Sequence, residues 1–258
     1  MRRILIGLLF VLALAPATVR AQEAPVIAAA ADLKFALEEV ARRFEAETGR
    51  KVRLTFGSSG AFTTQIEQGA PFEMFLSADQ AYVFRLADKG LTRDRGVLYA
   101  RGRIVVFAPH GSPLQVDSQL RGLRQALAQG RIRRFAIANP EHAPYGRAAQ
   151  QTLARARLWS QAQPRLVRGE NAAQAAQFAS AGSAQGGIIP YSLSLAPEVA
   201  RRGKSAVIPA DWHDPLDQRM VLTRKAGDTA QRFYAYMQTK PARDILARHG
   251  FTLPPGGR

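Results

Sequence analysis

The apolar positions of this chain fall into short unbroken runs that alternate with stretches of helical spacing. Residues 25–31 read as a buried strand (Val26-Ile27-Ala28-Ala29-Ala30). Asp32 is then expected to cap a helix in which Leu33, Leu37, Val40, Ala41 and Phe44 recur on one face, with Gly49 as its stop. Residues 52–56 alternate as a second strand, and Gly57-Ser58-Ser59-Gly60 turns the chain into a helix over 61–68. Phe75-Leu76-Ser77-Ala78 gives a third strand ahead of a helix over 82–89. Strand and helix in alternation predict a mostly parallel sheet covered by helices.

A strong strand over 103–108 follows, broken by Pro109-His110-Gly111, and a second unit of the same kind begins. It holds helices over 120–129, 146–156 and 172–180 and strands over 134–138, 165–167 and 187–189. An extended return at 205–209, a strand over 218–222 and helices over 229–237 and 241–249 close the chain. Strands at 104–107 and 206–208 bracket a self-contained α/β block, so they are the expected crossings between two lobes.

The first residues change the picture from fold to location. Met1-Arg2-Arg3, an apolar run over 4–17 and Val19-Arg20-Ala21 have the order of a secretion signal, with cleavage expected after Ala21. The run is too short to span a bilayer comfortably, and no second stretch of roughly 20 apolar residues follows. An uncleaved signal anchor is the alternative. The rest of the 258-residue chain suffices for one large domain or two lobes of ordinary size. It contains no cysteine, which excludes disulfides, thiol nucleophiles and cysteine metal sites.

The formal charge is +16, from 36 Lys and Arg against 20 Asp and Glu; losing Arg2, Arg3 and Arg20 with the signal leaves +13. Such a balance suits nucleic acid, an anionic membrane surface or small anions. An exported chain with scattered arginines disfavours nucleic acid. Most of the arginines read as a solvated surface that raises the local anion concentration.

In an open sheet, ligands gather where strands end and helices begin, because helix starts offer unpaired N–H groups and a positive dipole end. Small donor-bearing residues recur there: Asp32, Gly57-Ser58-Ser59-Gly60, Ser77, Pro144-Tyr145-Gly146 and Gly169-Glu170-Asn171-Ala172. The sharpest is Gly57-Ser58-Ser59-Gly60, where glycine admits close approach and serine donates without bringing charge. An ordinary turn with an N-cap is the plainer reading. No Walker lysine or GxGxxG spacing supports a nucleotide. His110, His142, His213 and His249 lie far apart with no HExxH, and neither Ser59 nor Ser194 sits in a GxSxG elbow, so enzyme readings are weak. Phe44, Phe56, Phe72, Phe75 and Phe84 read as core.

Along essentially all of the mature region the chain resembles the molybdate-binding (ModA-type) periplasmic components of ABC importers. The resemblance is carried by Ala29-Ala30-Ala31-Asp32-Leu33, by Phe56-Gly57-Ser58-Ser59-Gly60 with the segment 65–73, and by Phe75-Leu76-Ser77-Ala78-Asp79. The segment 138–146, Gly169-Glu170-Asn171 and the closing segment 245–251 complete it. It implies a type II binding-protein fold with two lobes, 22–105 plus 209–258 and 106–208, joined by two crossings around a ligand cleft. It also implies no enzymatic activity, no cofactor, and a monomer that delivers molybdate or tungstate to a membrane permease with its ATPase. The oxyanion contacts it implies are Asp32, Ser59, Tyr145, Ala172 and Tyr191, all to oxygens and none to the metal. Many members have serine in place of Asp32, whose carboxylate would repel a dianion; the expectation is a backbone N–H or capping role with the side chain turned away. Many members also have tyrosine in place of Pro190, which has no N–H or hydroxyl to give, and Tyr145 is expected to supply the phenolic donor instead.

A binding protein for sulfate or phosphate would share nearly all these features. An exported hydrolase would need an assembled nucleophile, and a surface-interaction protein would use its basic face in a salt-dependent way.

Overall fold

The computed structural model describes residues 23–254, so the signal segment and its cleavage point lie outside the described residues. In chain order the elements are β1 (Val26–Ala30), α1 (Lys34–Thr48), β2 (Arg53–Gly57), α2 (Ser59–Glu67), β3 (Phe72–Ser77), α3 (Gln80–Asp88) and β4 (Val97–Gly102). There follow β5 (Ile104–Pro109), α4 (Arg121–Ala128), β6 (Phe135–Ala138), α5 (Pro144–Arg155), α6 (Trp159–Ala162), β7 (Leu166–Gly169) and α7 (Ala172–Ser180). The last are β8 (Gly187–Pro190), α8 (Tyr191–Ser194), α9 (Pro197–Ala200), β9 (Gly203–Val207), β10 (Leu216–Leu222), α10 (Asp228–Tyr236) and α11 (Lys240–Arg248).

Two five-stranded sheets result, ordered β2-β1-β3-β10-β4 and β7-β6-β8-β5-β9. The expectation of mostly parallel sheets is corrected here. Both sheets are mixed, because β10 runs antiparallel to β3 and β4, and β5 runs antiparallel to β8 and β9. The reason is geometric. β1, β2 and β3 end at the cleft, as do β6, β7 and β8 in the other lobe. A strand that enters a lobe from the crossing must start at the cleft and run away from it. Thus Ile104 at the start of β5 lies beside Pro190 at the end of β8, and Leu216 at the start of β10 lies beside Gly102 at the end of β4.

The first sheet is buried on both sides, which accounts for the unbroken apolar run of β1. Ile27 and Ala29 join Leu37, Val40, Phe44 and Phe233 on one face, while Ala28 joins Phe62, Phe75 and Leu86 on the other. Phe44 meets Phe233 edge-on with ring centroids 5.1 Å apart. α1 ends at Gly49, whose φ of 69° and N–H bond to the Glu45 carbonyl make a left-handed cap that glycine adopts without strain. The second sheet has its own core around Val105, Phe107, Phe135, Ile137 and Ile188. Phe84 departs from the core reading: it is half-buried, with the guanidinium groups of Arg95 and Arg219 stacked on its ring at 4.5 and 4.9 Å.

Candidate functional site

Where the two lobes meet, a small cavity is bordered by the ends of β1 and β2, the start of α2, Ala78, and the starts of α5 and α7. Its volume is about 10 Å³, room for a single water-sized sphere. Of the five expected contacts, four come together here: Asp32, Ser59, Tyr145 and Ala172 all line it. Tyr191 is placed apart. Its N–H donates to the Arg103 carbonyl at 2.9 Å, and its ring lies against Gly250.

Three of these positions follow from helix starts. Ser58 caps α2, its hydroxyl accepting from the Ala61 amide at 3.3 Å. Ser59 is therefore the first helical residue and is fully buried. Its Oγ accepts the Ala78 N–H at 3.0 Å, which fixes the oxygen, and no protein acceptor takes its hydroxyl hydrogen among the described residues. Asn171 caps α7 by accepting from the amides of Ala173 and Gln174, and Ala172 ahead of them borders the cavity. In α5, Pro144 fills the first helical position, where a missing N–H costs nothing. Close approach is enforced by Gly146, where an added Cβ would sit 2.3 Å from the Ala138 carbonyl oxygen.

The capping role expected of Asp32 is also corrected. A 3₁₀ turn over Ala31–Leu33 precedes α1, and no side-chain cap starts either segment. The carboxyl points instead into a buried polar cluster. Its Oδ2 accepts from the Tyr145 hydroxyl at 2.9 Å and from Gln218 Nε2 at 2.6 Å. Gln218 Nε2 also reaches the Tyr145 oxygen at 3.0 Å, while its Oε1 accepts from the Tyr99 hydroxyl at 2.7 Å. The Asp32 carbonyl accepts from the Ser192 hydroxyl at 2.8 Å. Burial pushes the Asp32 carboxyl up from 3.8 to about 6, against the opposing pull of Gln218, Tyr145 and its own N–H. Burial, and then the Asp32 charge, lift the phenols of Tyr99 and Tyr145 well above their ordinary range, so both remain donors.

Gln218, Tyr99 and Ser192 escape the sequence reading. One signal for Gln218 exists: strict alternation along β10 puts it on the same inward face as Leu216 and Met220. The lobes are latched around the cavity by Gly60 N–H donating to the His142 carbonyl at 2.9 Å and by Ser58 Oγ 2.9 Å from His142 Nδ1. An ion pair joins Arg147 to Asp79.

The family profile of bacterial extracellular solute-binding proteins matches residues 25–252. A molybdate-binding protein of Azotobacter vinelandii is 34% identical over 230 residues, covering 88% of this chain and 89% of the relative. The solved periplasmic molybdate-binding protein of Azotobacter vinelandii superposes with a TM-score of 0.81 at 29% identity, over 90% of this chain and all of that one. A sulfate-binding protein of Mycobacterium tuberculosis shares the fold at a TM-score of 0.71 and 15% identity, over 88% of this chain and 86% of that one.

Proposed function

The chain belongs to the molybdate-binding family of bacterial extracellular solute-binding proteins, and from that premise we propose that it captures molybdate, or tungstate, in the periplasm and delivers it to a membrane ABC permease. The family is one of non-catalytic binding proteins, and the chain acts as a carrier without a cofactor. One observation supports this reading above others: donors from both lobes converge on one buried cavity, and almost all of them are uncharged. The Ser59 hydroxyl and the starts of α2, α5 and α7 surround it. Fixed dipoles of this kind replace the water around an anion without the reorganisation that a flexible lysine would need.

The contacts to the anion's oxygens are the Ser59 hydroxyl and amide, the Tyr145 segment and the Ala172 amide, with Asp32 beside them. The two lobes, each built on one of the two sheets, close on the anion within one chain, so a monomer suffices. Molybdate and tungstate match in charge and nearly in size, so the site does not separate them strongly. Sulfate has shorter bonds to oxygen and would leave fixed donors out of reach.

Calorimetric titration of the mature protein with molybdate, tungstate, sulfate and phosphate tests the proposal. One-to-one binding of the first two with little heat from the others is the expected result. Preference for sulfate or phosphate would move the chain to a different cargo on the same fold.

A further inference from the structure

Asp32 breaks the chemistry of its own site. It is 1% exposed, it borders a cavity whose other lining residues are uncharged, and among the described residues it is the only carboxyl group that does so. Its two oxygens are not equivalent. Oδ2 is saturated by Tyr145 and Gln218, while Oδ1 has no hydrogen-bond partner among the described residues.

The direction of every hydrogen in this cluster follows from one end. The Tyr99 hydroxyl donates to Gln218 Oε1, which turns the Gln218 amide nitrogen toward Asp32 and Tyr145. The Tyr145 oxygen then accepts from Gln218, and its own hydrogen goes to Asp32 Oδ2. Two hydrogens already point at Oδ2, so a proton on the carboxyl has its place on Oδ1. There it makes Oδ1 a donor, matching the Ser59 hydroxyl and the helix-start amides that border the cavity.

No cation offsets an ionised Asp32. The groups packed against it are Tyr145 from α5, Gln218 from β10, Ser192 from α8 and the uncharged start of α7, with Tyr99 of β4 behind Gln218. The basic side chains next to it along the chain and beside the cluster are engaged elsewhere: Lys34 rests over the Phe35 ring, Arg101 pairs with Asp217, and Arg103 reaches the Ile208 carbonyl. A dianion brought beside this carboxyl adds like charge in a place from which water is excluded, which favours the neutral acid still further.

We propose that the anion and one proton bind together, with Asp32 Oδ1–H donating to an anion oxygen in the loaded site. The inference rests on the oxyanion reading above. The balance is simple: ionised Asp32, a dianion and one proton from solvent combine, and the proton lies between Oδ1 and an anion oxygen. Whichever of those oxygens holds it, one proton is taken up per anion.

Titration calorimetry with molybdate between pH 5.5 and 8.5, in pairs of amine and sulfonate buffers of different ionisation enthalpy, measures that proton directly. The expected result at pH 8 is close to one proton taken up per anion. Affinity should fall about tenfold per pH unit above the Asp32 titration. Asp32→Asn and Asp32→Ser should bind with an affinity that no longer follows pH and with no proton uptake. Buffer-independent heats and a flat affinity in the wild-type protein would overturn the proposal, as would a pH slope that survives in both variants. If wild type and both variants, folded by circular dichroism, bind none of molybdate, tungstate, sulfate and phosphate, the oxyanion reading itself falls and takes this inference with it.

Discussion

The two halves of the cavity wall solve the same problem in opposite ways. On one side, Ser59 and Ala172 present hydroxyl and amide groups whose positions are set by helix starts, with the Ser59 oxygen held by the Ala78 N–H. On the other, Asp32 and Tyr145 border the cavity and are backed by Gln218 and Tyr99 in a buried, internally bonded chain of side chains. The first half can hold an anion at any pH. The second depends on where one proton is. Backbone donors therefore give strength that does not vary, and a buried side-chain network gives strength that can be tuned.

The largest expected effect separates the halves through stability. The folded state holds the Asp32 carboxyl at about 6 against 3.8 for the free side chain, so the stabilisation is complete below pH 3.8 and is lost as pH rises through about 6. That gap is worth roughly 3 kcal/mol. Asp32→Asn, which keeps an acceptor for Tyr145 and Gln218, should raise stability at pH 8 by up to about that amount and leave it little changed near pH 4. Urea denaturation at the two pH values checks the sign.

Next comes the neutral half. Ser59→Ala removes a donor to a charged ligand, worth roughly 1.5–3 kcal/mol, and leaves the Ala78 N–H unpaired in the free and the loaded protein alike. Molybdate affinity should drop between tenfold and a hundredfold at every pH, a loss that calorimetry would show to be parallel to the wild-type pH curve. Gly60→Ala attacks closure instead, because its Cβ would lie 2.7 Å from the His142 carbonyl oxygen across the lobes. Overpacking of this kind costs about 1–3 kcal/mol, and it should appear as weaker binding without a lower melting temperature for the unliganded protein. The smallest effect is expected at Arg147. Its pairing with Asp79 is partly exposed, so Arg147→Ala should weaken binding only a few-fold, and less in high salt.

The sequence exposes these halves unequally. Ser59 and Ala172 are legible because each follows a strand and opens a helix, a local rule that needs no tertiary knowledge. Tyr145 is legible by position but not by role, since its hydroxyl bonds a residue 113 positions away. The Gln218 contact to Asp32 spans 186 positions, and no local pattern pairs them. The mixed sheets stay hidden for a related reason: strand–helix alternation describes neighbours in sequence, while β5 and β10 take their direction from the lobe they leave. β4 holds a four-residue apolar run, Val97-Leu98-Tyr99-Ala100, ahead of Arg101 and Gly102, a signal that the sequence reading passes over.

The placement of β10 between β3 and β4 also imposes an order on assembly. A chain that emerges from a translocation pore amino end first has every strand of the second sheet by Val207, yet it lacks the strand between β3 and β4 of the first sheet until Leu222. Until then β3 and β4 have no strand to join them, and the Asp32 carboxyl has not met Gln218. The amino-terminal lobe is thus the last to be completed, and the anion site becomes whole only when nearly all of the polypeptide is out.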